Sequence, residues 1–144
     1  LQEILITNSR QLEEELREAV SRKGDIPTTL YRVARAYFDF AENHRKFYMF
    51  MLSQFYAGRE TEGFRAVYPL IRKYYQLVVQ IFADASQELG NMGGRQEQFA
   101  ISFIGILDSH MMLAFRDLSE EKSVTISDEQ TYEIVRQFLY GIYS

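Results

Sequence analysis

The sequence predicts an all-α protein, an antiparallel bundle of about six helices. In six segments the apolar residues recur every three or four positions, which is the repeat of a helix with one buried face. Short polar or glycine-containing breaks separate these segments. The alternating stretch Ser123–Ile126 is too short and too isolated to predict a strand. With 144 residues, the chain is long enough to bury one continuous core, and we predict a single helical domain over residues 1–144.

The first three helices follow from apolar spacing and from their end signals. Helix one runs from about Leu5 and ends near Lys23-Gly24. Asp25-Ile26-Pro27 opens helix two, because proline fits the first turn, where its missing N–H would have no partner. Helix two extends to about Asn43, and after a polar break helix three covers Phe47–Tyr56. Since helix three has little polar surface, we expect its neighbours to enclose it.

Helix four is the longest predicted segment, from about Phe64 to Leu89. Pro69 lies inside it, and because proline lacks a backbone donor we expect a kink or a restart there. Beyond the proline the apolar residues share one face. Gly90–Gly94 then predicts a turn at the helix end.

Two helices complete the chain. Helix five covers Arg95–Asp117, and a polar loop over 119–126 follows it. Ser127 and Gln130 have the spacing of a capping box, in which each side chain satisfies a backbone N–H of the first turn. We therefore predict that the last helix begins at this pair.

Helix five is apolar over more of its circumference than one packing contact needs. Its large side chains cover one broad face: Phe99, Phe103, Leu107, Met111 and Phe115. The other face carries mostly small residues at helical spacing, here called the seam: Ser102, Gly105, Ser109 and Met112. Because small residues permit close approach of a second backbone, we predict a homodimer. In it the seam meets its own copy or three residues of the last helix, Ile134, Val135 and Phe138.

Charge and composition restrict the partners. The net charge is −4, with 16 basic and 20 acidic residues interspersed, so the chain has no basic stripe for nucleic acid. The longest apolar run, Phe47–Leu52, is far shorter than the roughly 20 residues of a membrane-spanning helix. Cysteine is absent, which excludes thiol catalysis and permits a reducing compartment. We predict a cytoplasmic protein with no membrane partner and no cofactor.

The polar residues do not combine into a reaction centre. The two histidines are His44 and His110, and neither lies at a metal-ligand spacing from the other or from a carboxylate. We therefore predict no metal. A triad of Ser109, His110 and Asp108 fails, because neighbours in one helix point about 100° apart. No phosphate loop or nucleophile elbow is present, so we predict that the chain is not an enzyme.

Aromatic residues are in surplus, with 11 Phe and 10 Tyr. One interpretation is that they fill the core. The other is a ligand pocket enclosed by helices two to five, since buried tyrosine hydroxyls need partners and methionines adapt to irregular ligands. Tyr74 or His110 would supply its polar tips. The predicted pocket residues are Tyr37, Phe40, Phe50, Met51, Phe55, Tyr74, Val78, Phe103, Leu107, His110 and Met111.

Three segments together resemble the C-terminal ligand-binding and dimerisation domain of TetR-family transcriptional regulators. Tyr37–Phe47 is similar to that family's aromatic helix, histidine-containing break and next helix, with Arg45 where proline is frequent. Ile106–Met111 resembles a stretch of the penultimate helix, with Ser109 where glycine is common. Phe138–Ile142 resembles the closing apolar helix with its late glycine. The resemblance rests on the order and spacing of these segments, and it covers essentially the whole chain.

The resemblance implies a sensor rather than an enzyme. A small apolar or amphipathic effector would enter the bundle and shift paired DNA-reading modules allosterically. DNA would be bound only through a helix-turn-helix domain upstream of this sequence, and helix one would be the connector to it. A helical dimerisation or protein-interaction module with no small-molecule ligand is the alternative. An enclosed cavity with unpaired tyrosine hydroxyls would favour the sensor, and a packed core would favour the interaction module.

Overall fold

A computed structural model describes residues 2–85, 89, 93–116 and 125–141 of the chain. Within these ranges the secondary structure consists of six helices, with no strand. The predicted all-α helical bundle is therefore confirmed. The helices are α1 (Gln2–Ser21), α2 (Ile26–Asn43), α3 (Arg45–Phe55), α4 (Glu62–Asp84), α5 (Gln96–Arg116) and α6 (Asp128–Tyr140).

Side-chain caps fix where three helices begin. Asp25 Oδ1 accepts a hydrogen bond from the backbone N–H of Thr28 at 2.9 Å and opens α2, with proline in its first turn. Ser127 Oγ accepts from Gln130 N at 3.0 Å, and Gln130 Oε1 accepts in return from Ser127 N at 2.9 Å. The predicted capping box of the last helix is therefore confirmed. At the start of α4, Thr61 Oγ1 accepts a hydrogen bond from the backbone N–H of Phe64 at 3.1 Å.

The fourth helix differs from its prediction at both ends and at the proline. It begins at Glu62, and it ends at Asp84 rather than near Leu89. Pro69 lies inside it without a restart, two turns from its start, where the proline is exposed. Gly93 and Gly94 have positive φ angles of 60° and 78°, as expected for a glycine turn, whereas 90–92 and the loop 117–124 lie outside the described residues.

The core lies around α2, which contacts α1, α3, α5 and α6, while α4 packs against α1, α3 and α5. Each helix contributes side chains with almost no exposed surface. Burying one such side chain stabilises the fold by about 1.5–3 kcal/mol, so the shared core holds the bundle together. The fully buried large side chains include Leu12, Leu16, Leu30, Phe38, Phe40, Tyr48, Met51, Phe82, Phe103, Leu107 and Met111.

The last helix is attached to α2 by a polar cluster, here called the clamp, formed by Arg35, Glu42, Ile126, Asp128 and Thr131. Arg35 Nη1 donates to the carbonyl oxygen of Ile126 at 2.6 Å and to Thr131 Oγ1 at 2.8 Å. Glu42 Oε1 accepts from the Ile126 N–H at 2.6 Å. Arg35 also pairs with Asp128 at 3.3 Å and with a carboxylate on its own helix. Each charged side chain of the clamp therefore has at least one polar partner.

Among the described helices, α5 alone is long and apolar enough to cross a membrane by length and composition, with a mean hydropathy of 1.4. The core helix of a soluble protein passes the same test. In this bundle α5 packs on α2 and α4, and its buried face includes the carboxylate of Asp108. The core position explains only part of its apolar composition, because 39% of the tested window is buried and Ile101 and Leu113 are exposed.

Candidate functional site

The structure buries most of the predicted pocket residues, but it does not bring all of them together. Phe55 is half-buried, and Phe50 and His110 are exposed. Those that are buried are Tyr37, Phe40, Met51, Tyr74, Val78, Phe103, Leu107 and Met111.

Two of the predicted pocket residues face outward. Phe50 is 38% exposed, because it precedes the buried Met51 and therefore points about 100° away from it around α3. His110 precedes the buried Met111 in the same way and lines an open groove between α5 and α6. The prediction of His110 as a polar tip is therefore wrong. The hydroxyl of Tyr74, the other predicted tip, donates to the carbonyl oxygen of Ser9 at 3.1 Å.

A narrow cleft lies where α2, α3, α4 and α5 meet, at the predicted location. Its free volume is only about 10 Å³, which is about the space of one water molecule. Of the predicted residues, Tyr37, Met51, Phe55 and Tyr74 line it. The remaining lining residues are Leu52, Ile71, Tyr75, Ile104 and Asp108.

Other predicted residues pack away from this cleft. Phe40 stacks on the His44 ring at 4.5 Å and meets Phe47 edge to face at 5.9 Å. Phe103 contacts the ring of Phe138 on the last helix, with centroids 5.1 Å apart. These aromatics fill the core between helices, as the simpler interpretation expected for part of the set.

The centre of the site is Asp108, which the sequence analysis did not include in the pocket. Its Oδ1 accepts two hydrogen bonds, from the hydroxyls of Tyr37 and Tyr48, each at 2.6 Å. The two tyrosine rings meet edge to face, with centroids 5.9 Å apart. We call Tyr37, Tyr48 and Asp108 the triad cluster. Because its members lie on α2, α3 and α5, one carboxylate oxygen links three helices.

Asp108 is 7% exposed, and its carboxylate has no ion pair within the described residues. Burial raises its pKa to about 6, although the hydrogen bonds from Tyr37 and Tyr48 favour the charged form. Burial likewise raises the pKa of both tyrosines, and the Asp108 charge adds to that effect. A buried carboxylate with a strongly shifted pKa beside a cleft is a frequent property of functional sites.

A signal for Asp108 was present in the sequence. Asp108 occupies a position in the apolar repeat of helix five. It lies four residues after Ile104, three before Met111 and seven before Phe115. A carboxylate at a core position needs buried partners, and tyrosines are able to supply them without adding charge. Tyr48, which supplies one of them, was also missing from the predicted pocket.

The predicted dimer residues divide into two groups. Ser102, Ser109 and Met112 of the seam are exposed, Gly105 is half-buried, and Ile101 and Leu113 beside them are 59% and 57% exposed. On α6, by contrast, Ile134 and Val135 are only 6% and 3% exposed, and Phe138 packs on Phe103. The physical reason is that α6 uses this face to pack on its own chain. The expectation that Ile134, Val135 and Phe138 face a second copy therefore requires correction.

Within the described part of the chain, no group of three histidine, aspartate or glutamate side chains is placed to hold a metal ion. Comparison with known proteins found no matching family model, no matching curated protein and no matching solved structure.

Proposed function

We propose that this chain is the effector-binding and dimerisation domain of a transcriptional regulator of the TetR type. Its effector would be a small amphipathic or apolar molecule, and DNA would be contacted by a domain outside this sequence. The observation that carries the proposal is the triad cluster, which lies beside the cleft where α2, α3, α4 and α5 meet. A carboxylate that is buried among aromatic side chains, without a cation, costs folding free energy, and binding sites are where such costs are found.

The cluster also supplies a route for coupling. Tyr37, Tyr48 and Asp108 connect α2, α3 and α5, so a ligand that bonds to the carboxylate acts on a group shared by all three helices. Helix α4 is joined to α1 by the bond from Tyr74 to Ser9. Opening the cleft would therefore move α1 relative to the core, and α1 is the connector in the proposed regulator.

The seam supports the dimerisation part of the proposal. Ile101, Met112 and Leu113 add exposed apolar surface to its small residues. A Cβ atom built on Gly105 meets nothing within 4 Å in this chain, so a second backbone has room to approach there. We propose that two copies pair through this face of α5 alone.

The test is ligand-dependent thermal unfolding with a panel of apolar and amphipathic compounds. A compound at a hundred times its dissociation constant should stabilise the chain by about 2.7 kcal/mol. Ile104→Trp, which fills the cleft, should abolish this gain. Tyr132→Trp adds the same side chain on the exposed side of α6, away from the cleft and the seam, and it should leave the gain intact. If no compound stabilises the chain, the sensor proposal is overturned.

The second candidate function is a helical interaction module with no small-molecule ligand. The observation that favours it is the closed interior, with a free volume of about 10 Å³ and the hydroxyls of Tyr37, Tyr48 and Tyr74 all paired. Under this alternative the triad cluster only fixes three helices. The same unfolding panel distinguishes the two functions, because a module of this kind has no ligand-dependent gain to lose.

A further inference from the structure

The two carboxylate oxygens of Asp108 differ in their partners. Oδ1 accepts both tyrosine hydroxyls, which is about as many strong hydrogen bonds as one oxygen accommodates. Within the described residues no side chain or backbone group donates to Oδ2, and because no buried side-chain oxygen there lacks a partner, Oδ2 keeps contact with solvent. The residue is more than nine-tenths buried, and it lines the cleft. One face of the carboxylate is therefore satisfied by the fold, and the other remains free to accept.

We propose that the cleft, once Phe55 and Tyr75 have rotated outward, binds small organic cations, a primary ammonium group on an apolar body, with the ammonium donating to Oδ2 of Asp108. This inference rests on the proposed sensor function and specifies its ligand class. A neutral apolar ligand would leave the carboxylate in a drier environment and without a counter-ion, which is unfavourable. An ammonium group supplies both the positive charge and the N–H donors.

The walls of the cleft suit the rest of such a ligand. Tyr37, Phe55, Tyr74 and Tyr75 present aromatic rings, whose faces attract cations and pack on apolar chains. Met51, which also lines the cleft, has a flexible side chain that adapts to different shapes. The site therefore combines one fixed acceptor with adaptable apolar contacts.

Access is most direct between α3 and α4. Phe55 and Tyr75 line the cleft and are only half-buried, and Tyr56 at the end of α3 is 72% exposed. The Asp108 charge contributes to the raised pKa of Tyr56 and of Tyr75, so both hydroxyls lie within its electrostatic reach. Rotation of Phe55 and Tyr75 would open the cleft to solvent on this side and expose an incoming cation to the field of Asp108.

The experiment compares phenethylammonium with phenethyl alcohol, which has a similar shape and no charge, by calorimetry at about pH 7.5, where Asp108 is ionised. The ammonium should bind at least about tenfold more tightly than the alcohol. Phenethyltrimethylammonium, which has charge but no N–H donor, should bind more weakly than the primary ammonium. Asp108→Asn should reduce the preference for the ammonium to near unity. Asp84→Asn removes an exposed carboxylate of α4 and should not change it.

A second measurement keeps the inference testable if Asp108→Asn does not fold. In the unmodified chain, affinity for the ammonium should fall as the pH is lowered through the pKa of Asp108, about 6, while affinity for the alcohol stays constant. The other titratable groups facing this carboxylate are Tyr37, Tyr48, Tyr56 and Tyr75, which titrate at higher pH.

The outcomes separate this inference from the function it rests on. The cation assignment is overturned if phenethylammonium and phenethyl alcohol bind equally well. It is also overturned if neither binds while other neutral compounds stabilise the chain. In both cases the sensor proposal is left standing. Absence of any ligand-dependent stabilisation overturns both.

Discussion

Two polar clusters are built on α2, and they differ in whether a cation takes part. In the clamp, Arg35 pairs with acidic side chains and caps a carbonyl, and Glu42 accepts a backbone N–H. In the triad cluster, Asp108 is bonded to Tyr37 and Tyr48, and it has no cation within the described residues. A buried carboxylate without a counter-ion has a free-energy cost that a cationic ligand is able to reduce. We therefore propose that the clamp fixes the helices and that the triad cluster binds the ligand.

The largest effect is expected from removing both hydroxyls of the triad cluster. Tyr37→Phe with Tyr48→Phe leaves the Asp108 carboxylate buried without any partner, which should cost about 3–5 kcal/mol of unfolding free energy near neutral pH. The loss should be smaller at about pH 5, because the acid is then protonated. Urea denaturation measures both values. Tyr132→Phe with Tyr140→Phe removes two exposed hydroxyls as the control, and an equal loss there would contradict the account.

Stability should fall with rising pH because of Asp108. Its pKa is about 6 in the fold and 3.8 in the reference state, so the folded chain binds more protons between these values. The contribution is therefore fully present below about pH 4 and is lost as the pH rises through about 6, by up to about 3 kcal/mol. Glu42 shifts in the same direction, so the measured quantity is the difference between the unmodified chain and Asp108→Asn. A difference that does not change between these pH values would refute the prediction.

The clamp should be important for stability but not for ligand binding. Arg35→Ala removes the donors to Ile126 and Thr131, which should cost about 2 kcal/mol and increase hydrogen exchange in α6. Arg17→Ala removes an exposed pair with Glu13 and should cost no more than about 1 kcal/mol. Ligand-dependent stabilisation should survive both changes. Its selective loss in Arg35→Ala would mean that the comparison of the two clusters is wrong.

Substitutions in the seam should have the smallest effect on the unfolding free energy of the single chain. Because a Cβ atom at Gly105 meets nothing within 4 Å and Ser109 is exposed, Gly105→Leu and Ser109→Leu should not destabilise the monomer strongly. They should shift a dimer toward monomer by obstructing close approach of the second copy. Sedimentation measures the shift, with Ser53→Leu on the exposed side of α3 as the control. A double variant that stays dimeric at micromolar concentration would exclude this interface.

Local features of the fold could be predicted from the sequence because neighbouring residues determine them. The Ser127 capping box and the proline start of α2 depend on contacts within a few residues, and both are observed. The outward position of Phe50 and the inward position of Ile134 depend instead on which helices pack together. Hydrophobicity identifies such residues, but it does not decide between a ligand, a second copy and the chain's own core.

The candidate site could be located only in part. Tyr37 and Tyr74 were predicted to point inward because they lie in apolar stripes, and both line the cleft. Asp108 was considered only for a catalytic triad, which was rejected, and it was not placed in the pocket; a carboxylate is rarely buried. Its burial depends on Tyr37 and Tyr48, which stand 71 and 60 residues away in the chain. Such long-range partners become visible only when the helices are assembled.

The central claim is that Asp108 is held by two tyrosines on one side and is open to a cationic ligand on the other. The most direct measurement is an NMR titration of its side-chain carboxyl carbon, with and without phenethylammonium. The account predicts a midpoint near pH 6 in the free chain, because burial raises the pKa. It also predicts a clear downward shift of the midpoint when the ammonium is bound, since a neighbouring positive charge favours the carboxylate. A midpoint that does not move at saturating phenethylammonium would contradict the claim.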